Sequence, residues 1–204
     1  MHREEKSERS RRVLLDAALR LFSRRGYRAT TVRDIAEVAS VSTGNLYHHF
    51  ADKEAIFRTL LEEYREITIS SRFPIMRALT AGTFPQNLEE LAYATRESVR
   101  QFRSYMVLHY VDVIEFEGKH IRNFYSDLAQ RFAEAIREKQ GSLDPKLRPG
   151  VSPTSALLVA TRLFISYFQL EILLGVPEPF GKDSGQVVHE IADMLRNGMT
   201  IQKS

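Results

Sequence analysis

The stretch Thr31–Glu54, TVRDIAEVASVSTGNLYHHFADKE, predicts two short helices joined by a tight turn and followed by the start of a third helix. Thr31 and Asp34 have the spacing of a capping box, which starts the first short helix. Ser42 is a good N-cap for the second one, which runs to Phe50. The apolar face of the first helix has helical spacing and consists of Val32, Ile35, Ala36 and Ala39.

The second short helix has a surface that a protein core does not require. Leu46 and Phe50 are four residues apart and predict one packing face. The rest of the helix is small or hydrogen-bonding but uncharged, and consists of Thr43, Gly44, Asn45, Tyr47 and His48. Such a face suits a helix that lies in the major groove of DNA.

This stretch resembles the DNA-binding domain of the TetR family of bacterial transcriptional regulators, over about the first quarter of the chain. The resemblance depends on the spacing Gly-x-Leu-Tyr-x-His-Phe-x-x-Lys-Glu. The matching residues are Thr31, Val32, Ile35, Ala36, Val41, Ser42, Gly44, Leu46, Tyr47, His49, Phe50, Lys53 and Glu54. Ser40 departs from the pattern, because the family usually has glycine in the turn. We therefore expect a strained or differently shaped turn at Ser40.

The resemblance implies that the second short helix is the recognition helix. Thr43 and Asn45 would then face base edges, where an asparagine can bond adenine through both ends of its amide. Gly44 would let the DNA approach the backbone closely. Phosphate contacts are expected from Thr31, Arg33, Tyr47, His48 and Lys53. Tyr47 could instead be a packing aromatic, and we expect His49 to be structural.

The positive charge of the chain is concentrated near this stretch. The formal net charge of the 204 residues is +3, yet residues 9–50 contain eight arginines and three acidic residues. Phosphate contact requires such a local excess, although a solvated basic face on the first helix would look the same. The chain has no cysteine, which excludes disulfides, thiolate catalysis and cysteine–zinc sites.

No membrane segment is expected. The N-terminus has no apolar region after its charges, so it is not a signal peptide. The most apolar stretch, Ala156–Leu174, contains Arg162, Gln169 and Glu171 and is poor as a membrane span. A cytoplasmic location is the simplest interpretation.

Helical periodicity continues to the end of the chain and predicts an all-α fold. We expect a helix-turn-helix DNA-binding domain in residues 1–52 and a larger helical effector-binding and dimerisation domain in residues 53–204. Residues 1–8 are expected to be disordered, and residues 141–153 to form a loop. The nine predicted helices cover about 9–25, 31–39, 43–50, 52–73, 87–102, 104–116, 118–140, 153–174 and 184–198, and a short helical piece at 75–81 is left open.

The last two predicted helices need partners. The helix at 153–174 is apolar almost all round, so it must be buried on every side. Either it is the central core helix of a monomer, or it joins the last helix in a four-helix bundle formed by two subunits. The TetR resemblance implies the homodimer. The expected interface residues are Leu158, Ile165, Ile172, Val188 and Leu195.

The middle of the chain is rich in aromatic residues. Most such residues are core, but buried tyrosine and histidine tips need polar partners, as the walls of a small-molecule pocket also provide. The resemblance implies an effector pocket here. The candidate effector-binding residues are Tyr93, Arg96, Arg100, Tyr105, His109, Tyr125 and Arg162.

One polar row allows metal chemistry as an alternative. His109, Asp112 and Glu115 lie three residues apart, and His120 follows; the more common explanation is a salt-bridged polar surface. No catalytic or nucleotide-binding motif is present, so no cofactor, no bound metal and no enzymatic activity are expected.

These patterns predict a regulator that binds a double-stranded DNA operator as a homodimer and is released from it by a small-molecule effector. Two alternatives stay open: a dimeric DNA-binding regulator without an effector, and an all-α enzyme that acts on an aromatic or acyl compound.

Overall fold

The computed structural model describes residues 2–138 and 147–200, and across these ranges the fold is all-α. Ten helices lie in the described residues. They are α1 (His2–Arg25), α2 (Val32–Val38), α3 (Thr43–His49), α4 (Lys53–Ile69), α5 (Pro74–Ala81), α6 (Leu88–Gln101), α7 (Arg103–Phe116), α8 (Phe124–Glu138), α9 (Pro153–Ile172) and α10 (Ser184–Met199).

Three expectations about helix bounds change. The first helix begins at His2 rather than Arg9, so the expected disorder before residue 9 is wrong for the described residues. The short piece left open after Pro74 is a regular helix, α5, with proline in its first turn. Helix α8 begins at Phe124 rather than 118, because Glu117 and Gly118 both have positive φ and interrupt the chain. The expected end at 140 and residues 141–146 of the expected 141–153 loop lie outside the described residues.

The chain divides into two compact units that differ from the expected boundary after residue 52. The first, called the head here, comprises Met1–Glu66 and Ser104–Phe124. The second, called the body, comprises Ile67–Arg103 and Tyr125–Ser204. The physical reason is that most of α4 and almost all of α7 contribute apolar side chains to the head, as Phe57 and Leu108 do.

The core of the head is built around the rings of α1 and α4. Phe22 and Phe57 are fully buried, with their ring centroids 5.5 Å apart at 75°. Tyr27, just after α1, lies 5.4 Å from the ring of Phe57 and 4.6 Å from that of Phe116. Edge-to-face arrangements of this kind add to the stabilisation that burial provides. The helix-turn-helix elements therefore rest on a rigid aromatic cluster.

The turn between α2 and α3 has the geometry of a Schellman motif. The Val41 N–H donates to the Ala36 carbonyl at 2.9 Å, and the Ser40 N–H donates to the Glu37 carbonyl at 3.0 Å. Ser40 has φ of +56°, the left-handed conformation that glycine adopts without strain. The expectation of a strained turn at Ser40 is therefore confirmed.

The body is organised around α6, which packs on α5, α9 and α10. Helix α9 buries Leu157, Phe164 and Phe168 completely. It is the one described helix that is long and apolar enough to cross a membrane by length and composition. A core helix passes the same test, and the burial of these three side chains explains its apolar character.

Candidate nucleic-acid interface

Helix α3 presents the polar face that its sequence predicts. The Ser42 hydroxyl accepts the N–H of Asn45 at 3.1 Å and caps the helix. Leu46 and Phe50 anchor it in the head core. On the other side Thr43, Gly44, Tyr47 and His48 are exposed, and 57% of the surface of Tyr47 is open to solvent. Tyr47 is therefore not a packing aromatic of the head.

The start of α2 carries a capping box and an exposed cation. Thr31 and Asp34 form the predicted capping box: the Thr31 hydroxyl accepts the N–H of Asp34 at 3.1 Å, and Asp34 accepts from the Thr31 N–H at 2.8 Å. The Thr31 hydroxyl also donates to Asp34, which lowers the pKa of that carboxyl. Thr31 is thus engaged as a cap, whereas Arg33 is exposed.

Asn45 is not free on the surface of α3. The Ser10 hydroxyl of α1 donates to the Asn45 Oδ1 at 2.7 Å. Both residues are half-buried, at the place where α1 meets the recognition helix. Ser10 is 35 residues away in sequence, and no sequence pattern connects it with Asn45.

Lys53 has an intramolecular role that the sequence did not reveal. Its Nζ donates to the backbone carbonyls of Tyr27 and Thr30 at 2.9 and 2.8 Å and lies 4.1 Å from the centre of the Tyr27 ring. Burial lowers the pKa of the ammonium group. With two of its three donors used in these bonds, Lys53 holds the turn between α1 and α2, a role other than the phosphate contact that was expected.

Glu115 of α7 holds the same turn from its other side. Its carboxylate accepts the backbone N–H groups of Tyr27 and Arg28 at 2.9 and 2.7 Å, and the side chain is 14% exposed. Gly26 has φ of +81°, and a Cβ at that position would lie 2.6 Å from the Glu115 Oε1. The turn that leads into α2 is therefore fixed by a carboxylate, an ammonium group and a glycine.

The remaining acidic and histidine side chains of this region form a network in the head. Asp112 is fully buried, and the His120 Nδ1 lies 2.5 Å from its Oδ1. The Asp112 Oδ2 accepts the N–H groups of His120 and Ile121 at 3.2 Å. The His120 Nε2 lies 3.2 Å from the Glu54 Oε1, and Lys119 bonds the same oxygen at 2.7 Å. The bonds from Lys119 and His120 lower the pKa of Glu54.

This network gives the polar row of the sequence a structural explanation. Asp112 and His120 bond each other, Glu115 bonds the turn after α1, and His109 stacks edge-on against Phe124 with ring centroids 4.6 Å apart. The four side chains are thus engaged in separate contacts. Within 2–138 and 147–200 no group of three or more such side chains is arranged to hold a metal ion.

The head carries exposed arginine side chains. Most of the eight arginines between residues 9 and 50 are exposed, and Arg11 and Arg12 are half-buried. Arg12 pairs with Glu63 and Asp16, and Arg11 lies 5.4 Å from the centre of the Phe50 ring. The exposed arginines are Arg9, Arg20, Arg24, Arg25, Arg28 and Arg33.

Comparison with known proteins identifies this arrangement. Residues 14–60, which contain α2, α3 and the residues that hold them, match the model of the bacterial regulatory proteins of the tetR family. This part of the chain is similar to the TetR family.

Relatives and solved structures agree with this assignment. The HTH-type transcriptional repressor KstR2 of Rhodococcus jostii is 32% identical over 126 residues, which are 61% of this chain and 60% of the relative. KstR2 of Mycobacterium tuberculosis is 36% identical over 132 residues, 61% of this chain and 53% of the relative. The match thus spans less than two thirds of either relative. The crystal structure of a TetR-family transcriptional regulator from Mesorhizobium loti is similar in fold, with a TM-score of 0.69 at 18% identity over 94% of this chain and 95% of that chain.

The candidate effector residues are divided between the two units. Tyr105 and His109 belong to the head, where the Tyr105 hydroxyl donates to Glu63 at 3.0 Å. Burial, with the nearby Glu63 carboxylate, raises the pKa of Tyr105 to about 12. The other five belong to the body, and they are Tyr93, Arg96, Arg100, Tyr125 and Arg162.

The five body residues are absent from the lining of the cavity among the end of α4, α5 and the end of α6. Arg96 pairs with Glu171 at 2.7 Å and lies 5.9 Å from the centre of the Phe168 ring. Arg162 donates to the Tyr125 hydroxyl at 3.3 Å on the surface. Tyr93 and Arg100 are exposed. These residues make structural or surface contacts, as large side chains at helical spacing most often do.

A different part of the body is concave. A cavity of about 360 Å³ lies among the end of α4, α5 and the end of α6. The rings of Phe73 and Phe102 have centroids 5.6 Å apart. Arg77 pairs with Glu97 at 3.4 Å, and both side chains are more than half exposed. The lining residues are Ile67, Ser70, Arg72, Phe73, Pro74, Arg77, Glu97, Gln101 and Phe102.

The expected dimer residues differ in accessibility. Val188 is buried within its own chain. Leu158, Ile165, Ile172 and Leu195 are half-buried. The open apolar surface on the last two helices lies beside them, with Val159 54%, Leu163 43% and Met194 66% exposed.

Proposed function

We propose that this chain is a DNA-binding transcriptional repressor of the cytoplasm that binds a palindromic operator as a homodimer and leaves it when a small molecule binds the body. The observation that carries the proposal is the exposed, uncharged polar face of α3, flanked by exposed arginines. Its head resembles repressors in sequence, and regulators of this kind are not enzymes.

The head supports sequence recognition and phosphate contact through different residues. Thr43, Gly44 and Tyr47 are exposed on α3, where a helix in the major groove meets base edges and the flanking backbone. His48 is exposed on the same face. Arg33, on α2, supplies a cation that can bond a phosphate.

A salt titration of DNA binding separates these roles. We expect Arg33→Ala to weaken binding to selected and random duplexes alike and to reduce the slope of log K against log salt by about one. Thr43→Ala should instead reduce the preference for the selected duplex. Lys53→Met should leave the salt slope unchanged, because its ammonium group bonds the head. An unchanged slope for Arg33→Ala and a reduced one for Lys53→Met would reverse these assignments.

The proposed dimer uses the apolar surface of α9 and α10. Val159 and Leu163 are four residues apart on one face of α9, and Met194 extends the apolar surface on α10. This surface is bordered by half-buried side chains, which are Leu158, Ile165, Ile172 and Leu195. Val188 is buried within its own chain and is not part of the proposed interface. Contact between two copies of the surface would remove these side chains from water, and a two-fold protein matches a palindromic operator.

Light scattering of charged variants tests the dimer. Leu163→Glu should shift the chain from dimer to monomer, since a carboxylate would be buried without a partner. Val38→Glu is the matched control, because Val38 is similarly exposed, at 45%, but lies in the head. A dimer in both variants would locate the interface elsewhere, and a monomeric wild type would refute the proposal.

The effector proposal depends on the cavity of the body. Its volume lies within the range of small-molecule sites, and such sites combine apolar walls with a few polar groups. Phe73 and Phe102 offer aromatic surface, and the guanidinium groups of Arg72 and Arg77 can bind a carboxylate. An organic acid with an apolar part fits this combination.

A thermal-shift panel of aromatic and acyl carboxylates tests this site. A ligand at 100 times its Kd stabilises a protein by about 2.7 kcal/mol, which gives a measurable rise in Tm. The rise should disappear in Arg72→Ala and persist in Arg100→Ala, an exposed arginine of α6 that does not line the cavity. If the rise in Tm were lost only in Arg100→Ala, the ligand would bind at the residues that the sequence predicted and not in this cavity. No stabilising ligand in a wide panel would favour the regulator without an effector.

A further inference from the structure

The hydrogen bond between Ser10 and Asn45 joins α1 to the recognition helix. Its length is 2.7 Å, and both side chains are half-buried. Asn45 is half-buried where α3 contacts α1. Gly44 and His48, on the same helix, are exposed. The backbone N–H of Asn45 is used by the Ser42 cap, so the amide of its side chain is the group left for reading DNA.

An asparagine amide has one acceptor end and one donor end. Both ends must face adenine to make the bidentate contact, in which Oδ1 accepts from N6 and Nδ2 donates to N7. The bond from Ser10 turns Oδ1 towards α1. Nδ2 is then the end that is directed to a base. A donor alone bonds purine N7, guanine O6 or thymine O4, and it gains nothing from the N6 amino group that marks adenine.

We propose that Ser10 is a specificity-determining residue, which sets the base preference of Asn45 by holding its amide oxygen away from the DNA. Ser10 contacts no base itself; it orients the residue that does. This inference rests on the proposed DNA-binding function. It adds Ser10 of α1 to the residues that determine the sequence preference. The expected role of Asn45 changes from a bidentate contact with adenine to the donation of one hydrogen bond from Nδ2.

Selection of bound duplexes from a random-sequence pool, followed by sequencing, tests the proposal. The full-length wild type should select a motif in which one position per half-site prefers bases that offer an acceptor to Nδ2, through purine N7, guanine O6 or thymine O4. In Ser10→Ala the amide is free to turn, so adenine should gain at that position by about fivefold or more, the equivalent of about 1 kcal/mol and the lower end of what a bidentate pair contributes. The other positions should keep their preferences.

Two further variants identify the route of the effect. Asn45→Ala should remove the preference at the same position, and Ser10→Ala combined with Asn45→Ala should match Asn45→Ala alone. Ser23→Ala is the matched control, because Ser23 lies on the same helix and its hydroxyl bonds the Arg20 carbonyl. Its selected motif should match that of the wild type.

The outcomes separate the inference from the function on which it rests. A wild type that selects no motif refutes the proposed function. A wild type that selects a motif unchanged by Ser10→Ala refutes the role of Ser10 alone. A change spread over all positions in Ser10→Ala, with a lower Tm than Ser23→Ala, would make the bond a structural one and also overturn the inference.

Discussion

Glu115 offers the sharpest test of how the head is assembled. Its carboxylate accepts the N–H groups of Tyr27 and Arg28 at 2.9 and 2.7 Å. Glu115→Gln keeps the shape of the side chain but leaves one oxygen in place of two. One of the two N–H groups must then face the NH₂ of the amide.

The size of the effect follows from these two bonds. A hydrogen bond to a charged group contributes about 1.5–3 kcal/mol, and losing the partner costs more at the partly buried Tyr27 N–H than at the exposed Arg28 N–H, which water can reach. The ion pair with Arg28 adds little, because its atoms are 3.8 Å apart and the Arg28 side chain is 79% exposed. We expect Glu115→Gln to lower the free energy of unfolding by about 2 kcal/mol. For a chain of this length that is a fall in Tm of about 4–8 °C.

Urea denaturation measures the free energy, and amide hydrogen exchange locates the change. Exchange should accelerate at Tyr27 and Arg28 in Glu115→Gln. The control is Glu97→Gln, since Glu97 pairs with Arg77 on the surface at 3.4 Å and should change stability by less than about 0.5 kcal/mol. If Glu115→Gln lost no more than this control and exchange at Tyr27 and Arg28 were unchanged, the turn would not depend on the carboxylate.

Three further predictions concern single positions of the head. Burial lowers the pKa of His109 to about 4, against the opposing effect of Asp112, whereas an unfolded histidine titrates near 6.5. As the pH falls, the unfolded state therefore binds the proton before the folded state does. The contribution of His109 to the free energy of unfolding is fully present above about pH 6.5 and decreases by up to about 3 kcal/mol between pH 6.5 and 4. In thermal melts, the decrease of Tm with falling pH should be smaller in His109→Phe and unchanged in a variant of exposed His189. Ser40→Gly should raise the free energy of unfolding by about 0.5–1 kcal/mol, because it relieves the positive φ at the end of α2; a urea midpoint equal to or below that of the wild type would contradict this. Gly26→Ala should lose about 2 kcal/mol or more, and a double-mutant cycle with Glu115→Ala should show positive coupling, since part of the cost is the approach of the new Cβ to the Glu115 oxygen.

The sequence predicts α2 and α3 well because their signals are local. The Thr31 capping box, the Ser42 cap and the buried pair Leu46 and Phe50 all lie where helical spacing places them. The strain at Ser40 was also predictable, since a Schellman turn requires a left-handed residue at that position. The all-α fold followed from periodicity over the whole chain.

Contacts that join distant segments could not be predicted in this way. Lys53 was expected to bond phosphate, but it bonds carbonyls 23 and 26 residues earlier in the chain. Asn45 was expected to face base edges, but its side chain accepts a hydrogen bond from Ser10 of α1. Spacing along a helix shows which residues share a face, and it carries no information about which segment meets that face. The same limit explains why α7 was not assigned to the head.

Helix α4 contains residues of both units. The chain passes from head to body within α4, after Glu66, and returns at the start of α7, after Arg103. A helix transmits a displacement of one end to the other, because its backbone hydrogen bonds fix successive residues, whereas a loop absorbs it. The cavity is lined by Ile67, which follows the first passage, and by Phe102, which precedes the second. A ligand that moved Ile67 would therefore act on α4, which also carries Lys53, and Lys53 holds the turn that leads into α2.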